Sequence, residues 1–286
     1  MKRTTTYGLA LAAAAAAVLA GAGLSWWYGN RNPAPELPAD LPPPVAVAPP
    51  RASEPASAPA IQHPIEAAQP NVEPNAPVPT LEQSDAALND ALTALLGRKA
   101  VLSLLQTDGF VRRAVATVDN LARPHASPRL WPVVPTGDRF SVEVRDGQTV
   151  IGADNGLRYA PLVLLAESVN PEKAVALYAR FYPLFQQAYE ELGYPRGYFN
   201  DRLVAVIDHL LATPEPQGPV EVRLVEVQGP MKLERPWINY QFVDPELESL
   251  SAGQKALLRA GLVNERRLKA RLAAFREALT GQTAPR

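Results

Sequence analysis

The sequence predicts an α+β protein that is predominantly α-helical, with a compact multi-helix C-terminal domain and a small β-hairpin or sheet. Apolar residues recur at helical spacing through most of the chain after residue 80, and apolar–polar alternation is confined to a few short runs. Before residue 80 lie an uncharged stretch and then a segment with half of the chain's 30 prolines. We therefore predict a transmembrane anchor over 1–30, a disordered linker over 31–80 and a globular domain over 81–282.

The anchor is predicted from residues 7–28, which contain no charged residue and follow the basic start Met1-Lys2-Arg3. About 20 apolar residues suffice to cross a bilayer as a helix, and the aromatic run 26–28 lies where an interfacial belt is expected. A cleaved signal peptide is the alternative, because Ala20-Gly21-Ala22 resembles a cleavage site. In either case the basic end stays in the cytoplasm and the rest of the chain is exported.

Residues 31–80 are rich in proline and alanine and are predicted to be a disordered, stiff spacer. Fully extended, it would reach on the order of 150 Å. We assign no role to His63, which lies within it. The chain has no cysteine, so disulfides, thiol chemistry and cysteine lipidation are excluded for this sequence.

Three helices are predicted at the start of the globular domain. The first is capped by Ser84 or Asp85 and ends at Gly97, the second follows from Arg98, and the third begins near Asp108. Strands are then predicted from alternating residues at 140–144 and 149–151 around an Asp146-Gly147 turn and at 220–227, with a helix at 161–169 between them. Residues 237–243 are predicted to be a further strand or an ordered loop that leads to a short helix at Pro245.

The stretch 171–213 predicts two helices joined by a tight corner. Eight of the chain's 20 aromatic residues lie between Tyr178 and Phe199, and most recur on one helix face. Pro183 lies within the first helix and predicts a kink or a break into two helices. Gly193 is the expected end of that helix.

We expect Asn200 or Asp201 to cap the second helix of the pair. The residues of the corner are candidates for a partner-binding groove: Tyr194, Tyr198, Phe199, Asn200, Asp201 and Arg202. Tyrosine, asparagine and arginine suit the recognition of a peptide or carbohydrate chain. The favoured interpretation of the aromatic stripe is the core between two packed helices, and the sequence alone does not decide between the two interpretations.

The C-terminal helices are predicted from a capping box formed by Ser251 and Gln254 and from a further start at Asn264. From residue 251 onward, eight basic residues stand against two acidic ones. This excess, together with the aromatic corner, suggests a second hypothesis, a cell-wall polysaccharide-binding module.

The chain lacks the glycine-rich nucleotide loops, the Gly-x-Ser-x-Gly elbow and the His-Glu-x-x-His zinc pattern. Asp201, Asp208 and His209 share one predicted helix but do not converge on one ion. We predict no catalytic residues, metal or cofactor. An envelope hydrolase that uses Asp or Glu is a third hypothesis. The charge of the globular domain is balanced, so no nucleic-acid partner is expected.

Four stretches resemble the bacterial family known as domain of unknown function 3014. They are RRAVATVDNLAR at 112–123, LRYAPLV at 157–163, FYPLFQQAYEELGYPRGYFNDRLVAVIDHLLATP at 181–214 and DPELESLSAGQKALLRAG at 244–261. The resemblance covers about residues 80–280. It implies an envelope-associated domain behind an anchor and a proline-rich linker, and it implies no activity.

The leading functional prediction is therefore a single-pass bacterial inner-membrane protein with its N-terminus in the cytoplasm and its C-terminal domain in the periplasm. The domain is predicted to be a non-enzymatic binding or scaffold domain. Its partner is predicted to be an envelope protein or peptide, with peptidoglycan as the alternative.

Overall fold

The computed structural model describes residues 60–65, 78–225 and 239–281. The predicted anchor, residues 31–59 and 66–77 of the predicted linker, residues 226–238 and residues 282–286 lie outside the described residues. Within the described ranges, no helix is both long and apolar enough to cross a membrane.

The described part of the chain is predominantly helical with two small antiparallel hairpins, as predicted. Its α-helices are α1 Ser84–Leu96, α2 Arg98–Leu104, α3 Phe110–Leu121, α4 Ala160–Ser168, α5 Pro171–Glu191, α6 Phe199–Leu211, α7 Pro245–Ser249, α8 Ala252–Ala260 and α9 Leu262–Thr280. Its strands are β1 Val142–Arg145, β2 Gln148–Ile151, β3 Val222–Leu224 and β4 Tyr240–Phe242.

The first hairpin has the two-residue turn that its sequence predicts. Asp146 and Gly147 have φ values of 50° and 82°, and a type I′ turn requires a positive φ at both positions. β3 pairs with β4, and a single bridge between Val150 and Glu221 joins the two hairpins. The small β structure packs on α8 through the cluster of Val222, Phe242 and Leu258.

Helix α5 is continuous across Pro183, so the predicted break into two helices is wrong. A proline inside a helix costs about 3 kcal/mol. Its neighbours Phe181, Tyr182, Leu184 and Phe185 are all buried, and each buried side chain of this size contributes about 1.5–3 kcal/mol. Pro183 itself is on the exposed face. The burial therefore outweighs the cost of the proline.

Helix α5 forms the centre of the fold and positions the corner. On one side it packs with α1, α3 and the start of α6 in the largest core cluster, and on another side with α6 and α9. Because α5 and α6 are each held by several other helices, the loop that joins them is fixed at both ends.

Candidate functional site

The corner between α5 and α6 begins with a helix end that satisfies its own backbone groups. The Tyr194 N–H donates to the carbonyl of Tyr189, and the Gly193 N–H donates to that of Glu190. Gly193 has a φ of 113°. These two bonds form a Schellman motif, which confirms Gly193 as the predicted end of the helix.

The side-chain amide of Gln186 on α5 binds the end of the corner that leads into α6. Its Nε2 donates to the carbonyl of Gly197 at 2.8 Å, and its Oε1 accepts from the Phe199 N–H at 2.9 Å. The Tyr182 hydroxyl also donates to that Oε1. At Gly197 the chain passes so close to α5 that a Cβ atom would lie 2.7 Å from the ring of Tyr189.

The prediction that Asn200 or Asp201 caps α6 is wrong. The helix begins at Phe199 after Tyr198, whose side chain makes no capping hydrogen bond. Instead, the Phe199 N–H is satisfied by Gln186 of α5, and the Asn200 N–H donates to the Tyr182 hydroxyl at 3.4 Å. Because α5 supplies these caps, the side chains at the second and third positions of α6 are available for other contacts.

Both of those side chains bind residues 60–65 of the same chain. The backbone N–H groups of Gln62 and His63 donate to the two carboxylate oxygens of Asp201, at 3.0 and 2.7 Å. The side-chain amide of Asn200 donates to the carbonyl of His63 at 2.8 Å. The backbone of His63 is therefore held at both of its polar groups by two consecutive residues of α6.

The segment continues into an apolar anchor. The Ile65 N–H donates to the Tyr198 hydroxyl at 2.9 Å, and the Ile65 side chain is 7% exposed within the core cluster of α1, α3 and α5. Ile61, at the other end of the segment, is 54% exposed, and Pro64 is exposed as well. The segment is thus held by backbone hydrogen bonds and by one buried side chain.

Asn200 is fully buried, and tyrosine hydroxyls from α5 fix its orientation. Its Oδ1 accepts from the Tyr178 hydroxyl at 3.3 Å, which leaves its Nδ2 to donate to the segment. Burial raises the pKa of Tyr178, and burial followed by the hydrogen bond to Tyr198 raises the pKa of Tyr182. Both hydroxyls therefore remain protonated across the physiological range and keep their donor role.

Tyr194 and Arg202, which are also among the predicted site residues, fix the corner to α3. The Asp119 carboxylate, 5% exposed, accepts from Arg202 Nε at 3.1 Å and from the Tyr194 hydroxyl at 3.2 Å. Arg123 Nη2 lies 2.6 Å from the same carboxylate. Arg202 also donates to the backbone carbonyl of Asp119. A buried carboxylate is stable only when it is paired in this way.

The six candidate residues therefore divide into three groups. Tyr198, Asn200 and Asp201 contact residues 60–65, whereas Tyr194 and Arg202 bind Asp119, and Phe199 is a core residue at 1% exposure. Residues 60–65 were predicted to be part of the disordered spacer, and this prediction is wrong for them because they are docked on the domain. The sequence pointed to no contact of Gln186 or Asp119 with the corner. One signal was present in the linker, where Ile61 and Ile65 are the isoleucines of an otherwise proline- and alanine-rich segment.

Asp208 and His209, which the sequence places on one helix with Asp201, each contact a different partner within the domain. Asp208 pairs with Arg276, and His209 Nε2 lies 2.9 Å from the hydroxyl of Ser251. In the part of the chain that the structure describes, no group of three His, Asp or Glu side chains is arranged to hold a metal ion.

The basic side chains of the C-terminal helices bind other groups of the same domain. Among the described residues, each basic side chain from 251 onward bonds to an acidic side chain or to a backbone carbonyl: Lys255, Arg259, Arg266, Arg267, Lys269, Arg271 and Arg276. The excess of positive charge therefore serves the contacts of α8 and α9 with their neighbours.

Residues 110–276, more than half of the chain, match the family model described as protein of unknown function (DUF3014). The match includes α3, α5, the corner and α6. No curated protein and no solved structure matches the chain.

Replacing Ile65 with alanine should lower the free energy of unfolding by about 2 kcal/mol, because a buried apolar side chain is lost. The matched control is Ile61→Ala, which changes an exposed side chain in the same segment and should cost less than about 0.5 kcal/mol. Chemical denaturation of the full chain measures both. Equal effects of the two substitutions would show that residue 65 is not buried against the domain.

Replacing Asp119 with alanine should destabilise the fold by about 2 kcal/mol, since hydrogen bonds to a buried charge are worth about 1.5–3 kcal/mol. Arg202 is partly exposed and regains some hydration, which limits the loss. The control is Glu143→Ala, which removes a surface pair with Arg145 and should change the value by less than about 1 kcal/mol. Similar losses in thermal unfolding for the two variants would contradict a structural role for Asp119.

Proposed function

The chain belongs to the DUF3014 family, and we propose that it is a membrane-anchored bacterial envelope protein whose domain binds a short peptide segment of a partner protein without catalysing a reaction. The observation that carries the proposal is the contact of residues 60–65 with Tyr198, Asn200 and Asp201 at the α5–α6 corner. We name this surface the corner site.

The corner site recognises main-chain groups. Three backbone N–H groups and one backbone carbonyl of residues 60–65 are bonded by side chains of the domain. Main-chain hydrogen bonds supply affinity to a peptide irrespective of its side chains, and a pocket for one side chain supplies selectivity. Such a site suits a segment of another protein as well as a segment of this chain.

Asn200 and the start of α6 are oriented by contacts that do not involve the docked segment. Asn200 is oriented by Tyr178, and the start of α6 is capped by Gln186 and Tyr182. A site that is fixed in advance loses little conformational entropy on binding, so a small contact area yields useful affinity. This rigidity favours a recognition site over a loop that is ordered only by chance contacts.

The proposed location rests on the sequence that precedes the domain. An uncharged stretch over 7–28 behind Lys2 and Arg3 suits a single-pass anchor with a cytoplasmic N-terminus and a periplasmic domain. The proline-rich segment after it suits a spacer that lets the corner site reach partners away from the inner membrane.

A crosslinking pull-down from intact cells tests this function. Full-length wild type is compared with the double variant Tyr198→Phe/Asp201→Ala, which removes one hydroxyl acceptor and one carboxylate but leaves both helices intact. We expect a specific envelope protein to be recovered with the wild type and lost with the double variant, while the circular dichroism spectrum stays unchanged. Crosslinked residues mapped by mass spectrometry should lie in one short segment of that protein.

The control for charge removal is Asp154→Ala, an exposed carboxylate away from the corner site, which should recover the same protein as the wild type. Recovery of that protein by all three chains would contradict the proposed site. Recovery of wall fragments in place of a protein would contradict peptide binding and favour the polysaccharide alternative.

A further inference from the structure

On the basis of the proposed function, we infer the class of peptide that the corner site takes and the way in which it is controlled. The site takes a short segment whose last residue is an aliphatic anchor; it accepts a proline directly before the anchor and rejects one at the two positions before that. Residues 60–65, with the sequence Ala-Ile-Gln-His-Pro-Ile, are a built-in competitor that an external segment of this class must displace.

The pattern of hydrogen bonds accounts for the proline. The N–H groups of residues 62, 63 and 65 each donate to the domain, and residue 64 is the proline, which has no N–H to donate. A proline therefore loses no bond at this position. A proline also restricts the conformations of the free segment, which reduces the entropy lost when the segment binds.

The same pattern excludes proline elsewhere. At positions 62 and 63 a proline would remove an N–H that Asp201 accepts, and it would leave one of the carboxylate oxygens without that donor. Because any other residue carries the N–H, these two positions accept varied side chains. The register of a bound peptide is therefore set by where its prolines are and by its anchor residue.

The anchor is the residue after the proline. Ile65 is the buried side chain of the segment, and its neighbours Ala60 to Gln62 and Pro64 are exposed. Its cluster is lined by aliphatic and aromatic groups of α1, α3 and α5. A charged or polar residue at this position would be buried without a partner, so we expect the site to reject it.

The resident segment is held by a contact small enough to exchange. Four hydrogen bonds and one side chain fix it. Because the segment belongs to the same chain as the domain, its effective concentration at the site is high, on the order of millimolar for a short connection, so it competes effectively even when its intrinsic affinity is low. A partner must bind more tightly or be locally abundant.

Fluorescence polarisation with the full-length protein tests this inference. The probe is a labelled, end-blocked peptide with the sequence of residues 60–65. The variant Ile65→Asp, which expels the resident anchor, should bind the probe at least about tenfold more tightly than the wild type. The matched control Ile61→Asp introduces the same charge at the exposed isoleucine and should bind like the wild type.

Peptide variants and a second site test the details. A probe with aspartate in place of its final isoleucine, or with proline in place of histidine, should lose binding to the Ile65→Asp protein. A probe with alanine in place of proline should bind within a few-fold of the original. Adding Asp201→Ala to the Ile65→Asp protein should abolish binding while the circular dichroism spectrum stays unchanged.

The outcomes separate this inference from the proposed function. Equal affinity of the wild type and the Ile65→Asp protein would overturn competition by the resident segment but keep a peptide site at the corner. Binding of the aspartate-substituted probe would overturn the assigned ligand class. Failure of every folded variant to bind any probe would contradict both the inference and the proposed site.

Discussion

The corner depends on how the first backbone N–H groups of α6 find hydrogen-bond partners. A helix leaves its first backbone N–H groups without partners inside the helix, and near the core these groups cannot rely on water. Here Gln186 and Tyr182 of α5 accept from the N–H groups of Phe199 and Asn200. This arrangement fixes the angle between the two helices and releases two polar side chains that commonly serve as caps.

The released side chains bind main-chain groups of residues 60–65, and the rest of the fold keeps them in place. Asp201 lies in the first turn of α6, where the helix dipole favours a negative charge. The Tyr178 hydroxyl of α5 orients the buried Asn200 side chain. Asp119 of α3 binds Arg202, the residue that follows Asp201. Contacts with the core therefore hold the groups that contact the peptide in place.

Sequence patterns predicted what depends on neighbours along the chain. The helices followed from apolar spacing, the end of α5 from Gly193, and the first hairpin from Asp146 and Gly147. Sequence patterns did not predict the features that depend on groups distant along the chain. Tertiary burial kept α5 continuous across Pro183, and α5 capped α6 in place of the local candidates. The contact between Asn200 and His63 spans 137 positions, and no local rule predicts it.

Peptide binding at the corner site depends on the contacts that dock residues 60–65, and amide hydrogen exchange of the full-length chain measures this docking most directly. Hydrogen-bonded amides exchange only when their segment opens. The amides of Gln62, His63 and Ile65 should therefore exchange at least about tenfold more slowly than that of Ile61, and Asp201→Ala should remove the protection at residues 62 and 63. Exchange of all four amides at the rates of an unstructured peptide would contradict the account.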